Sequence, residues 1–175
     1  MIMDSLAMFD GGLSATGVFT GTSVVSGTTF TSAAATDSAN ILDLSQIAGS
    51  AAGRGRDIGI GDDPELKIAI EVMTAFAGAG ASMQIELQTA PDNGSGSPGT
   101  WAPINMTPVI PVASLVPGQI NTLEIVPGVQ KFLKLTYVVT GANMTAGAIA
   151  SGIVLDRGQL GPNLGYPSGY SNQYV

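Results

Sequence analysis

The chain has 175 residues, 13 Asp and Glu against 6 Lys and Arg, and neither histidine nor cysteine. A formal net charge of −7 repels nucleic-acid phosphates and anionic lipid surfaces, and the missing residue types remove the commonest general base, the thiol nucleophile and the soft-metal ligands. The length fits one domain with a core that needs no disulfides, and no apolar run reaches the roughly 20 residues of a membrane-spanning helix.

Taken in chain order, residues 1–15 open with Met1-Ile2-Met3-Asp4-Ser5-Leu6-Ala7-Met8-Phe9, which is too brief for a lone helix and is cut off by Asp10-Gly11-Gly12. This segment reads as an arm or an edge strand, and Ile2, Leu6 and Phe9 are its candidate partner contacts. Residues 16–38 are dominated by Thr, Ser, Gly, Ala and Val. They read either as weak strands or as a solvated excursion inserted into the domain. The main body, 16–158, then carries strand candidates at 40–44, 65–74, 82–89, 122–126, 131–140 and 146–155, separated by Gly, Pro, Asn and Asp signals of tight turns.

The pattern is clearest in Leu66-Lys67-Ile68-Ala69-Ile70-Glu71-Val72 and Met83-Gln84-Ile85-Glu86-Leu87-Gln88, where apolar and polar residues alternate at period two. Ile68, Ile70, Val72, Ile85, Leu87, Leu133, Leu135 and Tyr137 are therefore expected in the core. Many short strands with regular turns predict an all-β antiparallel sandwich with extended N- and C-terminal arms, and no segment shows a helical period. Trp101 lies among Pro103, Pro108 and Pro111, which exclude a central strand and leave an edge strand or a long connection. The tail, 159–175, places Tyr166, Tyr170 and Tyr174 in a stretch rich in Gly, Pro and Asn. Such a tail reads as a docking strap or as a segment folded back on its own sandwich.

Chemistry-bearing groupings are few. Asp57, Asp62, Asp63 and Glu65 form the densest acidic cluster, without the alternate spacing of a calcium loop, and a solvated turn paired with Arg54 or Arg56 is the expected reading. Gly53, Gly55, Gly59 and Gly61 are not followed by the Gly-Lys-Ser/Thr of a phosphate-binding loop. Glu71, Glu86 and Glu124 sit at outward phases of their strands, where a tuned acid–base pair is not expected. The sequence thus predicts a non-enzymatic protein with no metal site and no cofactor, and with neither nucleic acid nor membrane as partner.

Several motifs in order resemble a known family. Asn40-Ile41-Leu42-Asp43-Leu44, Gly55-Arg56-Asp57-Ile58-Gly59-Ile60-Gly61-Asp62, Leu87-Gln88-Thr89-Ala90, Tyr137-Val138-Val139-Thr140-Gly141, Ala146-Gly147, Val154-Leu155-Asp156-Arg157 and the terminal Tyr166-Pro167-Ser168-Gly169-Tyr170 are similar to the capsid cement, or decoration, proteins of tailed bacteriophages, of the Bordetella-phage type. The likeness extends over residues 37–175, and the stretch 17–36 is longer than the family's pattern. The resemblance implies a jelly-roll sandwich made in the host cytoplasm that forms small homo-oligomers, a dimer before a trimer. It also implies a place on the outer face of an icosahedral capsid, where the protein clamps neighbouring major capsid protein subunits. A carbohydrate- or receptor-binding β-sandwich is the alternative, and it should carry exposed aromatics on one sheet face or in its loops.

Overall fold

The structure, a computed structural model, describes residues 7–13, 19–21, 35–44 and 66–155. In chain order the strands are β1 (Met8–Asp10), β2 (Gly12–Leu13), β3 (Phe19–Thr20), β4 (Ala35–Asp37), β5 (Leu42–Asp43), β6 (Leu66–Ala77), β7 (Ser82–Ala90), β8 (Ala102–Met106), β9 (Ile110–Pro111), β10 (Ile120–Glu124), β11 (Phe132–Thr140) and β12 (Ala146–Leu155). The fold is an all-β sandwich, with a 3-10 turn at Val112–Ser114.

Two antiparallel sheets face one another. One runs β1-β12-β6-β10; the other runs β4-β11-β7-β8, with β5 continuing the β4 edge along β11 and β9 continuing the β8 edge along β7. β2 and β3 pair separately as a small hairpin. The main pairings are nested. β1 pairs with β12, β4 and β5 pair with β11, β6 pairs with β10, and β7 pairs with β8 and β9. Successive pairs fall in alternate sheets, which is the result of rolling one long hairpin around itself, and this makes the sandwich a jelly roll.

The inward phases of the central strands fill the space between the sheets. Ile68, Ile70 and Val72 of β6 oppose Met83, Ile85 and Leu87 of β7, together with Leu133, Leu135, Tyr137 and Val139 of β11; Ile149 of β12 completes the layer, and all are essentially inaccessible to water. Every side chain expected in the core is there. Full burial of each Leu or Ile contributes about 1.5–3 kcal/mol, so these strands supply most of the driving force.

The edges of the six-stranded sheet are broken in one manner on both sides. Between β4 and β5, the Ser38 backbone donates to Leu135 O (2.8 Å) while its hydroxyl accepts the Leu135 N–H (3.1 Å). Between β8 and β9, Thr107 donates its N–H to Ile85 O (2.9 Å) and its hydroxyl accepts the Ile85 N–H (3.0 Å). A hydroxyl side chain thus stands in for the carbonyl that leaves the ladder. Pro108, which has no N–H to offer, follows at once.

One correction concerns the N-terminal segment. Of its two readings, the edge strand holds for Met8–Asp10, and Phe9, expected as a partner contact, is wholly buried within the core cluster of its own domain. The cause is Asp10. Its carboxylate is buried and accepts the Tyr137 hydroxyl of β11, the Ser151 hydroxyl of β12 (3.0 Å) and the Ala39 N–H (2.9 Å). Phe9 O takes the Asn40 N–H (2.9 Å) and Met8 O the Asn40 amide (3.3 Å). β1 is thereby tied to both sheets, with Phe9 facing inward.

Candidate interaction surface

On the side of the sandwich opposite β1, the chain passes from the edge of one sheet to the edge of the other. β8 and β9 run along β7, Val112 N bonds Ala81 O (2.9 Å), and residues 115–119 then follow β6 into β10 through Phe76 N to Leu115 O (3.1 Å) and Gly118 N to Val72 O (2.9 Å). Asn105 closes the seam by donating its side-chain amide to Glu124 O (2.9 Å). Leu115 is fully buried beneath this wrap and anchors it.

Two features set this side apart. Residues 93–123 contain no Asp, Glu, Lys or Arg, although the whole chain carries −7. The same stretch holds Met106, Val109, Val116 and Ile120, which are 48–57% exposed; among the described residues Ile41 is the one other exposed large apolar side chain. Pro103, Pro108, Pro111 and Pro117 are exposed beside them. Interface cores are depleted in charge because a buried unpaired charge costs several kcal/mol, and proline presents apolar area with little entropy left to lose. This side is therefore the described surface best suited to lie against another protein.

The outer face of the six-stranded sheet is differently built. Lys134, almost buried, places its ammonium 2.7 Å from Asp37 Oδ2 and 4.7 Å from the centre of the Trp101 ring, and Thr136 donates to Asp37 Oδ1 (2.8 Å). Trp101 is thus engaged by a cation of its own domain and is not itself a free aromatic platform of the kind a sugar-binding face needs. Beyond the end of β7, Lys131 bonds Asp92 (2.6 Å) and lies 4.0 Å from Asp43. Asp92 is held below the ordinary carboxylate value chiefly by that hydrogen bond and then by the Gly96 and Gly94 amides, while Lys131 is raised by the same contact.

The acids weighed as a catalytic pair are separated by the topology. Glu86 stands outward on β7 and bonds Gln88 (3.0 Å), whereas Glu71 and Glu124 stand outward on the other sheet, opposite Ile120 and Lys67 respectively. Among the described residues no three carboxylates gather as a metal site. Ile2, Leu6, Tyr166, Tyr170 and Tyr174 lie outside the described residues, as do Asp57, Asp62, Asp63 and Glu65. Sequence reasoning passed over Met106, Val109, Val116 and Ile120. The signal that could have found them is the uncharged run itself, set against an acidic chain.

No curated protein matches the chain. The family model Bbp16 matches residues 24–153, which takes in both sheets except β1 and the last residues of β12, and begins inside the Thr- and Ser-rich stretch. The chain belongs to the Bbp16 family, a family of Bordetella phage proteins.

Proposed function

We propose that this phage protein is a structural component of the virion that binds the outside of an icosahedral capsid and stabilises it by clamping neighbouring major capsid protein subunits. The observation that carries the reading is a jelly roll of a phage family with an uncharged apolar side on an otherwise acidic molecule. Proteins of like net charge repel one another over most of their surfaces, so close packing on a shell favours the side where charge is sparsest, the uncharged stretch 93–123 with Glu71, Glu86 and Glu124 at its margins. The protein acts as a small homo-oligomer, and its arms add contacts through Ile2 and Leu6 at one end and Tyr166, Tyr170 and Tyr174 at the other. Each contact is modest alone. A clamp that holds two subunits at once gains effective concentration and so binds far more tightly than either contact would.

The test is decoration of capsids that lack the protein. The doubly charged variant Val109→Asp, Val116→Asp should fold, since both side chains are about half exposed, and should load onto shells poorly. Removal of residues 160–175 should leave the sandwich folded and lower occupancy further. Cryo-EM of shells fully decorated by the doubly charged variant would refute the proposed contact, and failure of the unaltered protein to bind any capsid would refute the function.

A further inference from the structure

The loop joining β7 to β8 contains the sequence's single Asn-Gly pair, Asn93-Gly94. The loop is compact although residues 91–97 are exposed: Asp92 bridges to Pro98, Asn93 N bonds Ser97 O (2.9 Å) and Gly99 N bonds Pro91 O (2.8 Å). Within it the groups around the Asn93 side chain have an order that goes beyond holding a turn. The Asn93 Oδ1 atom accepts the Ser95 N–H (2.9 Å), the Ser95 hydroxyl (2.7 Å) and, at longer range, the Ser97 N–H (3.4 Å). The N–H of Gly94 points at Asp92 Oδ1 (2.8 Å), which also takes the Gly96 N–H (2.9 Å), while Lys131 holds the other carboxylate oxygen.

We propose that Asn93-Gly94 is a self-modification site, at which the loop's own groups convert Asn93 to aspartate and isoaspartate. Gly94 N attacks Cγ of Asn93 and passes its proton to Asp92, the general base already bonded to it. Negative charge develops on Asn93 Oδ1, where the Ser95 and Ser97 donors are in place to receive it, in the manner of an oxyanion hole. The Cγ–Nδ2 bond then breaks, Nδ2 leaves as ammonia with the proton from Asp92, and a five-membered succinimide remains. Water opens the ring at either carbonyl, so each event consumes one water and releases one ammonia. Gly94, at φ +90°, has no Cβ to crowd the forming ring. The product adds a negative charge beside Asp92, and the isoaspartate form lengthens the main chain within the turn closed by Asn93 N and Ser97 O.

The test follows residue 93 by peptide mass spectrometry and isoaspartate methyltransferase labelling, in the full-length protein kept at neutral pH either folded or unfolded in urea. Folding ordinarily slows this reaction, so a folded rate at least about tenfold above the unfolded one is the expected signature of positioned acid–base groups. Asp92→Asn should bring the folded rate down to the unfolded one, and Ser95→Ala, which removes one donor to the carbonyl and leaves the carboxylate, should lower it several-fold. A folded rate at or below that in urea, or Asp92→Asn and Ser95→Ala both converting as fast as the unaltered protein, overturns the proposal.

Discussion

Replacing Asp10 by alanine should be among the most damaging single changes to this domain, even though it removes a charge from the interior. The substitution leaves two hydroxyls, of Tyr137 and Ser151, and one amide, of Ala39, without their acceptor. An unpaired buried donor costs about 1–3 kcal/mol, so the two buried hydroxyls give about 2–6 kcal/mol if nothing replaces the carboxylate, and the part-buried Ala39 amide adds less. Two effects reduce the sum: a water entering the vacated space can serve one or two donors, and the cost of burying the carboxylate disappears. The expected loss is about 3–5 kcal/mol, a large share of the roughly 5–15 kcal/mol that holds a domain together. In a chain of this size that lowers Tm by about 6–20 °C. Asp10→Asn, which keeps one acceptor, should lose less. In a cycle with Tyr137→Phe, the double variant should be more stable than the sum of the single losses predicts, by about 1–3 kcal/mol. Urea unfolding followed by far-UV circular dichroism and by Trp101 emission measures all of these. If Asp10→Ala loses less than about 1 kcal/mol, or the cycle is additive, the carboxylate does not hold β1 in the way described.

Tyr137 titrates well above its ordinary value of 10.0, first because burial disfavours the phenolate, then because the Asp10 charge and hydrogen bond oppose it. The folded value is above the unfolded one, so this stabilisation is complete below pH 10.0 and is lost as pH rises beyond it; urea midpoints between about pH 9 and 11 should show the advantage over Tyr137→Phe narrowing. Gly147→Ala should cost about 2–5 kcal/mol, because φ is +144° and the added Cβ would enter the Phe76 ring; calorimetry reads the loss, and an unchanged Tm would show that the ring moves aside freely. Lys134→Met keeps the packing against Trp101 and removes the cation, so about 0.5–1 kcal/mol should disappear with a change in Trp101 emission; unaltered emission would mean that the ammonium does not sit on the ring.

What the sequence showed plainly were the strands that alternate. β6, β7 and β11 were legible because each apolar residue at period two faces one core, and the Gly- and Pro-bearing turns bound them. Boundaries moved where packing overrode the turn signal: β6 runs on to Ala77, three residues past the expected end, and β10 begins at Ile120, two before its expected start. Asp10 was not legible. Next to Gly11 and Gly12 an aspartate looks like a turn residue, and the partners that make it a core residue lie 127 and 141 positions away. The same distance hid the role of Phe9. Prolines marked 101–111 as an edge strand or a long connection, and the edge strands β8 and β9 are found there, yet an edge does not by itself show that the stretch beyond it lacks charge.

The edges bear directly on how such a protein can associate. A long, regular edge strand invites another strand to pair with it, and here three of the four sheet edges are blunted. β1 spans three residues, the β4 and β5 edge is interrupted where Ser38 turns its hydroxyl into the sheet, and the β8 and β9 edge is broken at Thr107 and carries Pro103 and Pro111. Backbone pairing between copies is thereby disfavoured at these three edges, and the five-residue β10 forms the fourth. At those edges an association of the proposed kind proceeds through side chains, and on the described surface the exposed large apolar side chains are concentrated between β8 and β10. A contact of ordinary size hides about 800 Å² per partner, more than four half-exposed side chains provide, so that side can start a clamp but needs additional contacts to complete it. This is why the arms enter the proposal, and why the charged-edge variant and the tail deletion should weaken decoration to different degrees.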